Sequence, residues 1–223
     1  MFHKIVSLTL ILSTFTTAQN FQLHYEASGD REFFVTTLEM FKPDQYGSTF
    51  WFVDMEYAAP GVRGVSLSYW EIARAFTLPI NNLSATVQYN DGVADFGSLG
   101  QAWLAGINYY LDLGFVALPV DILYRAAQGA DSPDFQLTTT WFVPLMDGNI
   151  EFSGFFDLWS QDEMGSDEKQ IVILGEPQIW YNANEHLSIG TEVEISNNFV
   201  VDGMGNLKEG VQALPTIGLR WTF

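Results

Sequence analysis

The feature that most constrains this chain is an alternation of apolar and polar side chains that recurs along almost its whole length. A period of two is that of a β-strand, whose successive side chains point to opposite faces. Most of the alternating segments reach or exceed the roughly 9–11 residues that a tilted membrane strand needs. Twelve segments carry the pattern, at 20–27, 32–42, 48–58, 64–76, 83–91, 100–112, 115–128, 134–145, 149–160, 169–182, 187–197 and 211–223.

Two observations favour a membrane barrel over a soluble sandwich, which shows the same alternation. The apolar faces carry Trp103, Tyr124, Tyr181 and Trp221 near strand ends, where transmembrane barrels place their aromatic girdles. The three longest predicted connections all fall at one end of the strands, as in such barrels. The sequence therefore predicts an all-β fold, a transmembrane antiparallel up-and-down β-barrel of about twelve strands.

The composition excludes several classes of function. Nine lysine and arginine residues stand against 27 acidic residues, giving a net charge of −18. Nucleic acid is excluded as a partner, because phosphate contacts need a basic face. The absence of cysteine removes disulfides, thiol catalysis and cysteine-based zinc sites.

The N-terminal residues have the pattern of a secretory signal peptide. A basic start at Met1–Lys4 precedes an apolar stretch at Ile5–Phe15, and small residues at 16–18 suit cleavage. We therefore expect a signal peptide at 1–18 and an exported barrel at 19–223. An exported chain with no later apolar helix enters a membrane only as a barrel.

The last five residues, Leu219-Arg220-Trp221-Thr222-Phe223, end on an aromatic with apolar residues at alternate positions behind it. This ending resembles the terminal signature by which bacterial outer-membrane proteins are recognised for barrel assembly. We expect Trp221 and Phe223 to form this assembly signal, the barrel-assembly machinery and outer-membrane lipid to be partners, and the bacterial outer membrane to be the location.

Four motifs carry a family resemblance: His24-Tyr25, Glu39-Met40-Phe41-Lys42-Pro43-Asp44, Tyr46-Gly47-Ser48-Thr49-Phe50 and Tyr69-Trp70-Glu71-Ile72. They resemble a family of uncharacterised bacterial outer-membrane proteins that is grouped with the Tsx-like nucleoside-channel barrels. The resemblance implies a narrow twelve-stranded channel of the nucleoside-specific type, although this chain is shorter.

The polar faces of the strands predict the lining of the lumen, because a charge facing lipid is costly. Aromatic side chains on the same faces either stack on flat solutes or fill the interior. Arg74 is a third candidate for a basic residue in the lumen, after Arg125 and Arg220. The pattern at 64–76 places Glu71 on the lipid side, unless a β-bulge shifts the alternation. The predicted lumen residues are Glu26, Glu39, Phe52, Asp54, Glu56, Asp121, Arg125, Glu151, Phe155, Asp157, Glu176, Trp180, Glu192, Glu194 and Arg220.

Enzymatic sites are poorly supported. His186 and Ser188, with Glu192 beyond, have the spacing of part of a catalytic triad, but their strand begins at the predicted periplasmic turn at 183–186. The acidic loop at 161–168 matches no calcium-loop spacing. We expect no catalytic residue, cofactor or metal.

The predicted function is an outer-membrane channel for small solutes, with nucleosides or other flat or cationic molecules as the favoured class. The alternative is a non-conducting structural or surface-interaction barrel whose lumen is filled by aromatic side chains. A soluble secreted β-sandwich is the third reading.

Overall fold

The computed structural model describes residues 18–28, 31–57, 64–114, 116–163, 166, 168–201 and 206–223. The predicted signal peptide lies outside these residues except for Ala18, which begins the first strand. Among the described residues, no helix is long and apolar enough to cross a bilayer.

Twelve antiparallel strands form the wall within the described residues. Each pairs with its neighbours along the chain, and the last pairs with the first, which closes the barrel. The predicted fold is confirmed. The strands are β1 (Ala18–Ser28), β2 (Arg31–Asp44), β3 (Gly47–Tyr57), β4 (Leu67–Thr77), β5 (Leu83–Ala94), β6 (Ala102–Asp112), β7 (Ala117–Ala127), β8 (Asp134–Leu145), β9 (Ile150–Asp162), β10a (Lys169–Gly175) with β10b (Gln178–Asn182), β11 (Leu187–Asn197) and β12 (Gln212–Thr222).

The tenth strand is interrupted at Glu176 and Pro177 but keeps one register on both sides of the break. Proline has no backbone N–H to donate to a ladder. The Pro177 carbonyl still accepts a hydrogen bond from the Val193 amide at 3.1 Å. The interruption is therefore local, and β10a and β10b act as one strand of the wall.

The connections differ in length at the two ends of the barrel. At one end, the long-loop end, the strands are joined by residues 29–30, 58–66, 95–101, 128–133, 163–168 and 198–211. At the other, the short-turn end, they are joined by residues 45–46, 78–82, 113–116, 146–149 and 183–186. A short 3-10 turn at Met146–Gly148 is part of this second set. The longest connections thus share one end, as the sequence predicts.

The outer surface is apolar and carries aromatic residues towards both ends. Trp103 and Tyr124 are more than half exposed near the long-loop end, and Tyr181 and Trp221 are exposed near the short-turn end. Along β6, Trp103 and Tyr109 are six residues apart, or about 20 Å of strand. Large apolar side chains on a water-exposed wall would be unfavourable, whereas a lipid-facing belt requires them.

One predicted facing is wrong. The apolar residues Leu67 and Tyr69 suggest an outward face that would carry Glu71, but all three point into the barrel, opposite Glu56, Asp54 and Phe52 of β3. The outward face of β4 is formed instead by Trp70 and Ile72, which are exposed. The Tyr69 hydroxyl donates a hydrogen bond to the Glu71 carboxylate, so the tyrosine has its polar partner inside. No bulge is needed.

The candidate solute pathway

The alternation of the wall brings the predicted lumen residues to its inner face. Directly opposed residues on neighbouring strands share a face, and the register joins Glu39 to Phe52, Asp121 to Asn108, and Glu192 to Gln178. The inner face carries Glu26, Glu39, Phe52, Asp54, Glu56, Asp121, Arg125, Glu151, Phe155, Asp157, Glu176, Trp180, Glu192, Glu194 and Arg220.

A set of half-buried acids lines the middle of this face. These central carboxylates are Glu39, Asp54, Glu71, Asp121, Asp157, Glu176 and Glu192. None of them forms a salt bridge with another described residue. Neutral groups donate to them instead: Asn20 to Glu39 at 3.0 Å, Gln88 and Asn108 to Asp121 at 2.9 and 2.6 Å, Thr37 to Asp54, and Gln178 to Glu192.

Three central carboxylates converge from different parts of the wall. Asp54 lies on β3, Glu192 on β11, and Glu176 at the break in the tenth strand. Glu192 and Asp54 both lie near enough to Glu176 to interact with it electrostatically. Thr37 donates a hydrogen bond to Asp54, and Gln178 donates one to Glu192.

The inner wall near the short-turn end contains a buried ion pair. The Arg220 guanidinium donates two parallel hydrogen bonds to Glu151, at 2.7 and 2.8 Å, and both side chains are about nine-tenths buried. Its carbon lies 4.7 Å from the ring centroid of Trp180. We call Arg220, Glu151 and Trp180 the clamp. Because Arg220 belongs to β12 and Glu151 to β9, the pair spans the two intervening strands.

Trp180 lies flat against the wall because two neighbouring positions are glycines. A Cβ on Gly190 would lie 2.5 Å from Trp180 Cε3, and one on Gly218 would lie 3.1 Å from Trp180 Cη2. The ring edge meets His24 with centroids 5.6 Å apart, and the side chain has no solvent exposure. Trp180 is therefore on the inner face as predicted, but its ring has no free surface on which a solute could stack.

Other aromatic residues do remain accessible from inside. Phe52 contacts Phe50 and Tyr69, with ring centroids 6.0 Å apart in both pairs, and all three are half-buried. Phe155 on β9 is also half-buried. These rings are the candidate stacking surface.

The inner wall at β6 and β7 is partly apolar. Ala102, Leu104 and Leu123 form a buried cluster beside Arg125. The Arg125 guanidinium lies 5.8 Å from the ring centroid of Trp159 and interacts with the charges of acids including Asp134 and Glu71. This part of the inner wall is therefore packed.

Arg31 is an inner-face residue that the sequence reasoning missed. Its guanidinium contacts three carboxylates from three strands: Nε lies 3.1 Å from Glu26, Nη1 3.2 Å from Glu194 and Nη2 3.6 Å from Glu56. Arg31 is separated from Phe33 and Glu39 by even numbers of residues along β2, so the alternation of the strand places it on the same inner face.

Arg74, by contrast, does not belong to the lumen. It pairs with Thr49 and Val87 on the outer face near the short-turn end. There its guanidinium donates to both carboxylate oxygens of Asp44, at 2.7 and 2.9 Å.

The histidine–serine spacing does not form a triad. His186 is exposed in the turn before β11, where its ring stacks on Trp221 at 5.1 Å. Ser188 is buried on the inner face and donates to Asn182. The part of the acidic loop that is described includes Asp162, which pairs with Lys169. The described residues contain no group of acids and histidines that could hold a metal ion.

The predicted assembly residues end the last strand at the short-turn end. Trp221 pairs with Phe21 across the closing seam and is exposed on the outer face. The Phe223 amide donates to the Gln19 carbonyl at 3.0 Å, and its side chain is 67% exposed.

A closed twelve-strand wall, an apolar outer belt and a polar interior define the chain as an antiparallel β-barrel of the membrane type. It belongs to the family described as a domain of unknown function, DUF5020, which matches residues 18–223. No curated protein matches the sequence.

Two solved structures share the fold at low sequence identity. A structure of the NanC porin has a TM-score of 0.61 and 10% identity, covering 92% of this chain and all of that one. The KdgM porin has a TM-score of 0.53 and 7% identity, covering 92% of this chain and 99% of that one. At these identities the likeness concerns the fold alone.

Proposed function

We propose that the protein is a channel in the bacterial outer membrane for small solutes, with a preference for cations and for flat uncharged molecules such as nucleosides. The observation that carries the proposal is the set of central carboxylates, which face the lumen and, in five of seven cases, accept hydrogen bonds from neutral donors. Partial exposure of these side chains supports a narrow aqueous passage rather than a wholly packed interior.

The cation preference follows from the negative charge that these side chains carry when they are ionised. Acidic groups around a narrow, low-dielectric passage concentrate cations and exclude anions, as acidic rings do in cation channels. Each central carboxylate is hydrogen-bonded or placed beside other acids, and none forms a salt bridge with a guanidinium among the described residues. The negative potential is therefore expected to extend through the middle of the barrel.

The preference for flat solutes rests on Phe50, Phe52 and Tyr69. Stacking on an aromatic side chain tolerates any base, because every base has a π-face. A nucleoside is the solute that both this cluster and the resemblance to nucleoside-channel barrels favour.

The membrane location is supported by the apolar outer belt and by the fold shared with porins. We propose that the C-terminal strand engages the barrel-assembly machinery through Trp221 and Phe223. Deleting Phe223 should then reduce the amount of heat-modifiable protein in the outer-membrane fraction, whereas recovery of the full chain in the soluble periplasmic fraction would contradict the location.

Liposome swelling tests the solute class. Vesicles that contain the protein should swell faster in a nucleoside than in a sugar of similar mass, with protein-free vesicles as the baseline. Equal rates would contradict the preference for flat solutes and leave a general pore.

A second candidate function is a non-conducting barrel, and the buried inner side chains favour it. Leu104, Leu123, Val172 and Trp180 are at most 2% exposed, so part of the interior is packed like a core. Swelling distinguishes the two functions, since a filled barrel would give no swelling in any solute.

A further inference from the structure

Arg31 occupies a cage of acidic and aromatic side chains at the long-loop end of the lumen. It begins β2 and pairs with Ser28, the last residue of β1. Its three guanidinium nitrogens each meet a different carboxylate, at 3.1 Å from Glu26, 3.2 Å from Glu194 and 3.6 Å from Glu56. The guanidinium carbon lies 5.5 Å from the ring centroid of Phe33.

The charges in this cage do not balance. Three carboxylates surround one guanidinium, so the group as a whole carries two negative charges when all are ionised. One carboxylate in bidentate geometry suffices to pair an arginine. The extra acids are therefore not explained by pairing alone. The Arg31 and Glu56 side chains are each 23% exposed, so both remain in contact with solvent.

The position of the cage makes its charge matter for passage. Glu26, Glu56 and Glu194 lie at the long-loop ends of β1, β3 and β11, one alternation step beyond the central carboxylates Asp54 and Glu192. A cation that enters from the long-loop end passes the Arg31 guanidinium before it reaches Asp54 and Glu192.

We propose that Arg31 is the residue that sets how strongly this barrel selects cations, by acting as a tethered counter-ion at the entrance to the acidic part of the lumen. The inference rests on the proposed channel function. Arg31 offsets one of the three cage charges and occupies the space where a solute cation would otherwise be held.

The expected size of the effect follows from Coulomb's law. One unit charge about 4 Å from a permeating ion changes the ion's partitioning about five-fold in water, and the change shrinks as salt screens it. Loss of the guanidinium should therefore raise the cation preference by about this factor at low salt and by much less near 1 M salt.

The experiment measures the reversal potential of the protein in planar bilayers under a KCl gradient at low salt. Arg31→Gln should shift it further in the cation-selective direction. Arg74→Gln removes the same charge from the outer face near the other end and should leave it unchanged. The double variant Arg31→Gln with Glu194→Gln restores the cage to two negative charges and should return the reversal potential towards that of the wild type.

Because Arg31→Gln leaves buried acids without their partner, the variant must first be shown to assemble. Heat-modifiable migration on gels provides that check. Glu56→Gln supplies a second test if that variant does not assemble. Glu56 has the longest contact in the cage, and its loss should weaken cation preference.

The outcomes separate this inference from the proposed function. A wild-type protein that does not conduct, or prefers anions, overturns the channel proposal. A cation-selective wild type overturns the role of Arg31 if Arg31→Gln leaves the reversal potential unchanged or shifts it towards anions. A shift towards cations in Glu56→Gln would overturn that role as well.

Discussion

Two arginines on the inner wall are paired with acids in different ways. Arg220 meets one carboxylate, Glu151, in a bidentate pair at 2.7 and 2.8 Å, and the side chains are 10% and 9% exposed. Arg31 meets three carboxylates through single contacts of 3.1–3.6 Å and is 23% exposed. The first pair also covers Trp180, whereas the second faces the end of the lumen.

This difference separates an element that holds the wall together from one that shapes the passage. A charge pair that is matched, bidentate and buried is costly to break, because the remaining partner is left without compensation. An unmatched and partly hydrated group of acids contributes a field to its surroundings instead. We therefore expect changes at the clamp to affect stability and changes at the acids to affect selectivity.

The largest expected effect comes from breaking the clamp. Glu151→Ala leaves the Arg220 guanidinium buried and without its bidentate partner, and should lower the free energy of unfolding by about 3–5 kcal/mol. Denaturant unfolding in detergent micelles measures it. Glu56→Ala removes a more exposed acid and should lower stability much less; similar losses in the two variants would remove the distinction between the arginines.

A smaller loss of stability is expected from filling the space beneath Trp180. A Cβ at Gly190 would lie 2.3 Å from the Ile179 carbonyl oxygen and 2.5 Å from the indole ring. Gly190→Ala should therefore destabilise the barrel by about 1–3 kcal/mol, the usual cost of overpacking. At Gly175 the nearest atom would be 3.4 Å from the new Cβ, so Gly175→Ala is the matched control. Equal unfolding midpoints for the two variants would contradict the packing of Trp180.

Selectivity should respond to a central carboxylate with little change in stability. Glu192→Gln removes an acid that forms no salt bridge with the described residues, and it keeps a polar side chain beside Gln178. The ratio of K+ to Cl− permeability should fall, by up to about five-fold at low salt. An unchanged permeability ratio together with a large loss of stability would show that Glu192, like the clamp, stabilises the wall and does not control selectivity.

The smallest expected effect concerns solute stacking. Phe52→Ala should reduce the ratio of nucleoside to sugar swelling rates a few-fold, because one half-buried ring of the cluster is lost. Phe34→Ala removes a ring that is 50% exposed on the outer face and should leave the ratio unchanged. A change of the same size in both variants would exclude a specific role for Phe52.

The alternation of the sequence was sufficient to predict the closed barrel and the facing of most strands, since one face must meet lipid. It misplaced Glu71 because Leu67 and Tyr69 look like lipid-facing residues, whereas their register with β3 places all three on the inner face. The burial of Trp180 depends on Gly190, Gly218 and Arg220 from other strands.

The missed residue, Arg31, shows the limit of a count of charges along strands. Its side chain lies on the inner face by parity, but its three partners come from β1, β3 and β11. No pattern within one strand indicates which distant acids will meet. The contacts of Arg31 could therefore be identified only from the way the strands pair in the closed barrel.

The sign of the reversal potential of the wild-type protein in a planar bilayer under a KCl gradient tests the central claim most directly. The central carboxylates predict cation preference, strong at about 0.01 M salt, where the Debye length is roughly 30 Å, and weak near 1 M, where it is roughly 3 Å. A conducting, anion-selective barrel would contradict the account, because a buried guanidinium and not the acids would then control the passage.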